Sequence, residues 1–186
     1  MALAYISHRD CLLHEMGQHH PERPSRLSAI SDRLIASGLD MALHHYDAPL
    51  VEREQLEAVH DAGFVEQIHA AVPADGLAWL DGDTAMNKHS LDAALRAAGA
   101  VVCGVDLVMQ GRAKNVFCGV RPPGHHAEHD KAMGFCLFNN VVVGAYHALN
   151  RYGLERVAIV DFDVHHGNGT EDMVAGDQRV LFCSCL

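Results

Sequence analysis

The chain has 186 residues, of which 49% are hydrophobic and 20% are charged, and its formal net charge is −10. These values are typical of a globular domain with a sizeable core, and they exclude collagen, a coiled coil and a disordered chain. The negative charge argues against direct binding to nucleic acid, which would need clustered lysine and arginine side chains. The chain contains 15 histidines, a large number for the side chain that is the commonest metal ligand.

The N-terminal residues 1–6 are apolar, but the run stops at His8-Arg9-Asp10. This run is too short for a signal peptide or a membrane-spanning helix, so we expect a cytoplasmic protein without a membrane partner. The six cysteines are scattered and include no Cys-x-x-Cys pair. This pattern favours reduced, buried thiols over a zinc site built from cysteine.

Three helices are predicted from apolar side chains that recur every three or four residues. The first covers 26–37 and ends before Gly38, the second is capped by Ser90 and ends before Gly111, and the third runs from Asn139 or Asn140 to Gly153. A glycine closes each helix, as expected for a residue that readily adopts the left-handed conformation.

Three short apolar runs predict buried strands at 115–120, 157–160 and 180–183. The run at 157–160 is continuous, which predicts a strand that is covered on both faces. Strands that alternate with helices at this spacing are typical of βαβ units. We therefore expect an α/β fold, a parallel sheet flanked by helices.

The strongest candidate site is the sequence DFDVHHGNG, which begins at Asp161 at the end of the second predicted strand. Residues two apart in extended chain point the same way, so Asp163 and His165 can converge on one cation. Phe162 and Val164 are expected to point into the packed interior. A carboxylate with an imidazole suits Zn²⁺ or Fe²⁺ better than Mg²⁺ or Ca²⁺, and Asp161 is better placed to orient a histidine. The alternative is a solvated loop whose carboxylates cap the following helix.

A second candidate site is the sequence RPPGHHAEH at 121–129, which follows the first predicted strand. Hydrolysis at a metal needs a group that takes a proton from water and returns one to the leaving group, and His125 and His126 are candidates. Asp161 is the candidate carboxylate partner of His125. A histidine pair on its own is often part of a polar loop. However, ligand sites in parallel sheets form beyond the carboxyl ends of strands, where these two loops can meet.

Four motifs resemble, in order and spacing, the zinc-dependent histone deacetylase family, and in particular its class II and bacterial amidohydrolase branch. They are HPERP from His20, RPPGHH from Arg121, GFC-x-x-NN from Gly134 and D-x-D-x-HHGNGT from Asp161. The resemblance covers nearly the whole chain. It implies an arginase/deacetylase-like fold and an amidohydrolase that removes an acetyl or similar acyl group from lysine or a polyamine.

The resemblance also implies roles for individual residues, with Zn²⁺ or Fe²⁺ at the catalytic centre and a structural K⁺ nearby. The implied catalytic residues are His125 and His126 with their partners Asp161 and Asn168, and the implied metal ligands are Asp163 and His165. The implied K⁺ site surrounds Asp161, Asp163, His165 and Ser184. The implied substrate tunnel involves Gly134, Phe135 and the rim residue Asp83, and the implied internal channel involves Arg26.

The family pattern extends further than this chain. In the family, the third metal ligand, an aspartate, and a tyrosine that stabilises the transition state follow the segment that matches 180–184, whereas this chain ends at Leu186. We therefore expect a partial deacetylase domain over 1–186, an N-terminal portion with little or no turnover by itself.

Two alternatives to this prediction remain. One is a non-catalytic remnant that binds a partner chain or forms an oligomer at the open sheet edge of the strand at 180–183. The other is a metal hydrolase of similar fold that acts on sugars or thiols.

Overall fold

Residues 3–185 are described by a computed structural model, in which parallel strands are flanked by helices. The strands in these residues are β1 (Leu3–Ser7), β2 (Leu43–Asp47), β3 (Ala78–Trp79), β4 (Ala85–Met86), β5 (Asn115–Cys118), β6 (Val157–Asp161) and β7 (Val180–Ser184). The α-helices are α1 (Ser25–Ala36), α2 (Arg53–Glu57), α3 (Ala62–Ala70), α4 (Ser90–Met109), α5 (Asn140–Tyr152) and α6 (Asn168–Val174). The predicted α/β fold is confirmed.

The strands form two parallel sheets and one short antiparallel pair. β1 lies in the centre of a sheet with the order β2-β1-β5, and it is parallel to both neighbours. β6 and β7 form a second parallel pair, in which Asp161 lies opposite Ser184. β3 and β4 pair antiparallel. The loops that follow β5 and β6 come together, since the side chains of His125 and Asp161 are in contact.

The helices α1, α4 and α5 correspond closely to the three predicted helices. Gly38, Gly111 and Gly153, which follow them, all have positive φ, as the sequence indicates. One detail is wrong, because Ser90 is the first helical residue and does not cap α4. Its hydroxyl instead accepts a hydrogen bond from the backbone N–H of Asn87 at 2.8 Å.

The strands β1 and β2 are not predicted from the sequence. The apolar run at 1–6 is short, and β2 contains two histidines and an aspartate, so neither segment stands out as a buried strand. The parallel pairing with the central strand is what makes β2 a strand, because its side chains are mostly exposed. Tertiary pairing here overrides a weak local signal.

The prediction that β6 is covered on both faces is wrong. Ile159 is 5% exposed, whereas Val160 is 65% exposed, and Leu181 on β7 is 62% exposed. One face of the β6-β7 pair packs against α5 and joins the core, while none of residues 3–185 covers the other face. A continuous apolar run therefore does not show by itself that both faces are buried.

The helix α4 crosses the centre of the protein and contributes to two apolar cores. The larger core joins α3, α4, α5 and the inner face of β6. The smaller core packs Ala4 and Ile6 of β1 against Ala100 and Leu107 of α4. Within the described residues, no helix combines the length and the hydropathy needed to cross a membrane.

Candidate active site

The residues singled out in the sequence come together in one cleft of about 290 Å³. The loops after β5 and β6 form one side, and the turn between β3 and β4 and the start of α1 form the other. The predicted residues that line the cleft are Arg26, Asp83, His125, His126, Gly134, Phe135, Asp163 and His165. Asp161, Asn168 and Ser184 lie behind this lining.

His125 is held by the carboxylate at the end of β6. Its Nδ1 lies 2.8 Å from Asp161 Oδ2, while Asp161 Oδ1 accepts the backbone N–H of Asp163 at 3.1 Å. If Nδ1 carries the ring proton, it donates to the carboxylate and leaves Nε2 free as an acceptor. Asp161 therefore orients the histidine and the start of the following loop together.

His126 is held by an amide instead of a carboxylate. Its Nδ1 lies 2.7 Å from Asn168 Oδ1, in the first turn of α6. Asn168 Nδ2 donates to Glu128 Oε1 at 2.9 Å, which turns the amide oxygen towards the ring. The ring of His126 is 4.0 Å from that of His125 and 6.0 Å from that of His165, measured between centroids.

Asp163 and His165 form a close pair at the mouth of the cleft. Asp163 Oδ1 accepts the backbone N–H of His165 at 2.8 Å and lies 3.0 Å from His165 Nδ1. The backbone N–H of His165 lowers the pKa of the Asp163 carboxyl, because it stabilises the charged form. The two side chains therefore lie side by side at the mouth of the cleft.

The expectation that Phe162 and Val164 point into packing is wrong. Phe162 is 87% exposed and Val164 is 73% exposed. The strand ends at Asp161, and residues 163–165 form bends, so the alternation of extended chain does not continue into this loop. Asp163 and His165 converge through a bent loop and not through a strand.

Asp163 and His165 are of the residue types that bind Zn²⁺, but they are fewer than a catalytic zinc site normally uses. A carboxylate and an imidazole are common zinc donors, and a catalytic site normally uses three protein ligands. Across residues 3–185, no group of three or more histidine, cysteine, aspartate or glutamate side chains is placed to hold a metal ion. Within the described residues, Asp163 and His165 therefore stay predicted metal ligands, and the K⁺ site around Asp161 and Ser184 also stays a prediction.

The wall of the cleft depends on an unusual backbone at Gly134 and Phe135. Gly134 has φ of +57°, and a Cβ there would lie 2.5 Å from the ring of His126. Phe135 has φ of 69°, and its N–H donates to Thr84 Oγ1 at 2.9 Å. The ring of Phe135 also meets His20 edge-on, with centroids 4.6 Å apart. This strained backbone brings an aromatic ring to the wall of the cleft.

The two other predicted residues of the cleft are held by neighbours on the same side. Arg26 Nη1 donates to Glu22 Oε1 at 3.0 Å. Asp83 Oδ1 accepts the hydroxyl of Thr84 at 3.0 Å. Both polar side chains line the same cleft as the histidine pair.

Sequence reasoning misses the buried polar groups that support this cleft. Arg121, immediately before the two prolines, is completely buried and pairs with Glu22 through Nε at 2.7 Å and also through Nη2. Its Nη1 donates to the backbone oxygens of Cys11 and His14. Arg121 and Glu22 each belong to one of the motifs quoted above. They are 99 positions apart in the chain, so the sequence does not show that they are in contact.

A second buried network supports the loop that carries the histidine pair. The backbone N–H of Asn139 donates to His60 Nε2 at 3.0 Å, and His60 Nδ1 lies 3.2 Å from the oxygen of His129. Asn139 Nδ2 donates to the oxygen of Ala127 and to Thr170 Oγ1. Burial lowers the pKa of His60 to about 4, so this histidine is neutral and fixed as the Nδ1–H tautomer.

Comparisons with known proteins agree on one family. The family model for the histone deacetylase domain matches residues 20–186. The chain is 41% identical to an uncharacterized protein of Synechocystis, slr0245, covering 98% of this chain and 60% of that protein. It is 37% identical to a histone deacetylase-like amidohydrolase of Pseudomonas aeruginosa, covering 94% of this chain and 50% of that protein.

A human relative and a solved structure extend the comparison. The human polyamine deacetylase HDAC10 is 37% identical, over 99% of this chain and 29% of its own length. The crystal structure of the HDA15 HD domain superposes with a TM-score of 0.93 at 37% identity. This match covers 98% of the chain and 52% of the solved domain. The chain thus spans only part of each of these proteins.

Proposed function

The chain belongs to the histone deacetylase family, and we propose that it is a zinc-dependent amidohydrolase that removes an acetyl or similar acyl group from an amine. The observation that carries the proposal is the cleft in which two imidazoles, each held by its own acceptor, face the Asp163–His165 pair. The relatives named as an amidohydrolase and as a polyamine deacetylase support amide hydrolysis as the reaction class.

The proposed metal ligands in this chain are Asp163 and His165. When bound there, Zn²⁺ would polarise the amide carbonyl and acidify a water molecule, and Fe²⁺ is the alternative ion for the same donors. Since residues 3–185 provide two donors and a catalytic zinc normally has three, we expect turnover of this chain to be far below that of a complete site.

His126 is proposed as the general base and acid. Its ring, held at Nδ1 by Asn168, presents Nε2 to accept one proton from water as the oxygen adds to the carbonyl carbon. The same proton then passes to the amine as the C–N bond breaks, so acetate and a free amine leave. His125 differs because the Asp161 carboxylate stabilises a positive charge on its ring.

The cleft wall suits a substrate with a narrow aliphatic stem. Gly134 leaves space beside His126, and the ring of Phe135 can pack along methylene groups. Asp83 at the rim can accept a hydrogen bond from an amide or pair with an amine. These features support acetyl-lysine or an acetylated polyamine as the substrate class.

The test is hydrolysis by the chain loaded with zinc, using an acetyl-lysine peptide and a mono-acetylated diamine with the free amine measured by mass spectrometry. We expect slow release that is lost in His126→Ala and after chelation, because both the base and the ion are then absent. The control His44→Ala removes an exposed histidine of β2 and should keep the rate. Release that persists in His126→Ala would contradict the proposed role of the cleft.

A second candidate function is a non-catalytic binding module. It is favoured by the exposed apolar face of β6 and β7, where Val160 and Leu181 are 65% and 62% exposed. Within the described residues β7 has a free edge, so a partner could add a strand there and pack an apolar element against the exposed face. This candidate predicts capture of a partner chain that Leu181→Lys abolishes, with no amine release from either acetylated substrate.

A further inference from the structure

The side chain of Asn168 connects His126 to a carboxylate, Glu128, that does not itself line the cleft. Asn168 Oδ1 lies 2.7 Å from Nδ1 of His126. Asn168 Nδ2 donates to Glu128 Oε1 at 2.9 Å and to Met133 Sδ at 3.5 Å. The amide thus has an imidazole at its oxygen and two acceptors at its nitrogen.

These two acceptors determine which way the amide of Asn168 faces. A carboxylate at neutral pH and a thioether accept hydrogen bonds but donate none. If the amide were turned over, its oxygen would face Glu128 Oε1 and Met133 Sδ, and no donor would lie between them. The amide oxygen therefore faces His126, and because this oxygen can only accept, Nδ1 of His126 carries the ring proton. Its Nε2 is then the unprotonated nitrogen.

The segment that carries Glu128 is held against the start of α6 by the backbone. The N–H of Thr170 donates to the backbone oxygen of His125 at 3.1 Å. A Cβ at Gly169 would lie 2.2 Å from the backbone oxygen of Ala127, so the two segments approach closely. Neither contact involves the side chain of Glu128. A change of this side chain therefore alters the donors and acceptors around the amide but leaves the two segments in contact.

We propose that Glu128 is a positioning residue that fixes the tautomer of His126 through Asn168. The inference rests on the proposed function only for the role of His126 as a base, since the tautomer can be measured without turnover. His125 meets its carboxylate, Asp161, directly. His126 is separated from its carboxylate by a neutral amide, which transmits the choice of tautomer without placing a full charge against the ring.

The experiment measures the tautomer of His126 in the full chain, labelled with ¹⁵N at its histidines and kept in chelator. Spectra at about pH 9, where an ordinary imidazole is neutral, show which ring nitrogen carries the proton, and His126→Ala assigns the signal. The parent chain should show Nδ1–H. In Glu128→Gln the new amide can also donate, so Asn168 can turn over. The ratio of Nδ1–H to Nε2–H should then fall at least about tenfold.

An exchange of the two side chains provides a rescue. In the double variant Glu128→Gln with Asn168→Asp, the carboxylate at position 168 accepts from the glutamine and from Nδ1 of His126. The Nδ1–H tautomer should therefore return. Amine release by the zinc-loaded chain should fall in Glu128→Gln and recover in the double variant.

A matched control separates this role from a purely structural one. Asp172 Oδ2 accepts the backbone N–H of His129 at 3.2 Å, so Asp172 also joins the loop to α6, but its recorded hydrogen bond is not to Asn168. Asp172→Asn should keep both the tautomer of His126 and the rate, and circular dichroism checks the fold of every variant.

Two results would overturn the inference. One is a His126 that stays Nδ1–H in Glu128→Gln, and the other is a double variant in which Nδ1–H does not return. Either result would leave the proposed hydrolysis in place. If the tautomers change as expected but the zinc-loaded parent chain releases no amine, the inference is supported and the proposed function is overturned.

Discussion

The two histidines of the cleft differ in the chemistry of their partners. A carboxylate, Asp161, faces His125, whereas an amide, Asn168, faces His126. A carboxylate stabilises an imidazolium by its charge, but an amide oxygen mainly fixes the tautomer and the orientation of the ring. The two neighbouring rings therefore have hydrogen-bond partners of different charge.

His60 differs from the two histidines of the cleft because it is buried and both of its ring nitrogens have hydrogen-bond partners. Its pKa is lowered from 6.5 to about 4 by burial, while Nε2 accepts the N–H of Asn139. Between these two pH values the unfolded chain binds a proton at this histidine and the folded chain does not. The free energy of unfolding therefore falls as the pH decreases through this range, by up to about 3 kcal/mol from His60.

We predict that His60→Gln reduces this pH dependence. Glutamine has an acceptor and a donor for the same two backbone partners, but it binds no proton in this range. Urea unfolding at pH 7.5 and pH 5 measures the change, and the difference between the two values should be smaller than in the parent chain. The control His44→Gln changes an exposed histidine. An unchanged pH dependence in His60→Gln would show that His60 does not cause it.

At the scale of elements, α4 is positioned by close contact with the segment that precedes α2. A Cβ at Gly99 would lie 2.1 Å from the backbone oxygen of Pro49, and the N–H of Val51 donates to the oxygen of Leu95. Glycine in a helix normally costs about 1 kcal/mol relative to alanine. Here it is required, because the backbone of the neighbouring segment occupies the space of a side chain.

We predict that alanine at Gly99 destabilises the protein, whereas alanine at Gly176 does not. Gly99→Ala should lower the free energy of unfolding by about 1–3 kcal/mol, since the overlap forces a backbone shift. Gly176→Ala is the control, because a Cβ there would meet open space and its change should stay within about 0.5 kcal/mol. Denaturant unfolding of both variants provides the comparison, and equal effects would contradict the packing argument.

At the scale of the molecule, a buried ion pair joins the N-terminal segment to the loop that carries His125 and His126. Glu22 is 2% exposed and Arg121 is completely buried, and Glu22 also holds Arg26 at the cleft. Removing one member leaves the other charge buried without its partner, which costs far more than the pair itself contributes. The position of the loop before His125 therefore depends on residues that lie about a hundred positions earlier.

We expect Glu22→Ala to lower the free energy of unfolding by about 3–5 kcal/mol. The double variant Glu22→Leu with Arg121→Met should lose less than this, since it removes both charges and keeps apolar volume. Urea unfolding of the parent chain, Glu22→Leu, Arg121→Met and the double variant forms a complete cycle. Additive losses would show that the two side chains do not interact.

The fold of this chain is shared with the HDA15 HD domain. A TM-score of 0.93 over 98% of the chain means that the strands and helices described above follow the backbone of that domain. The chain covers 52% of the solved domain. The exposure of one face of β6 and β7 is thus described for this span of chain alone.

Several features follow from the sequence alone. The ends of α1, α4 and α5, the alternation of strands and helices and the family motifs depend on residues close together in the chain, where spacing and side-chain chemistry are sufficient. The convergence of His125 and Asp161 could also be predicted, because both follow strands of a parallel arrangement. The strands β1 and β2 could not, since their local patterns are weak and their pairing is with distant segments.

Only the tertiary structure decided which groups are buried and which are exposed. An apolar pattern predicts β6 but not that Val160 is 65% exposed, because exposure depends on what packs over the strand. The exposure of Phe162 and Val164 has the same cause, because it also depends on what packs over these side chains. Likewise, Glu22 meets Arg121 and His60 meets Asn139 only after folding, because contacts between distant segments are determined by the path of the whole chain.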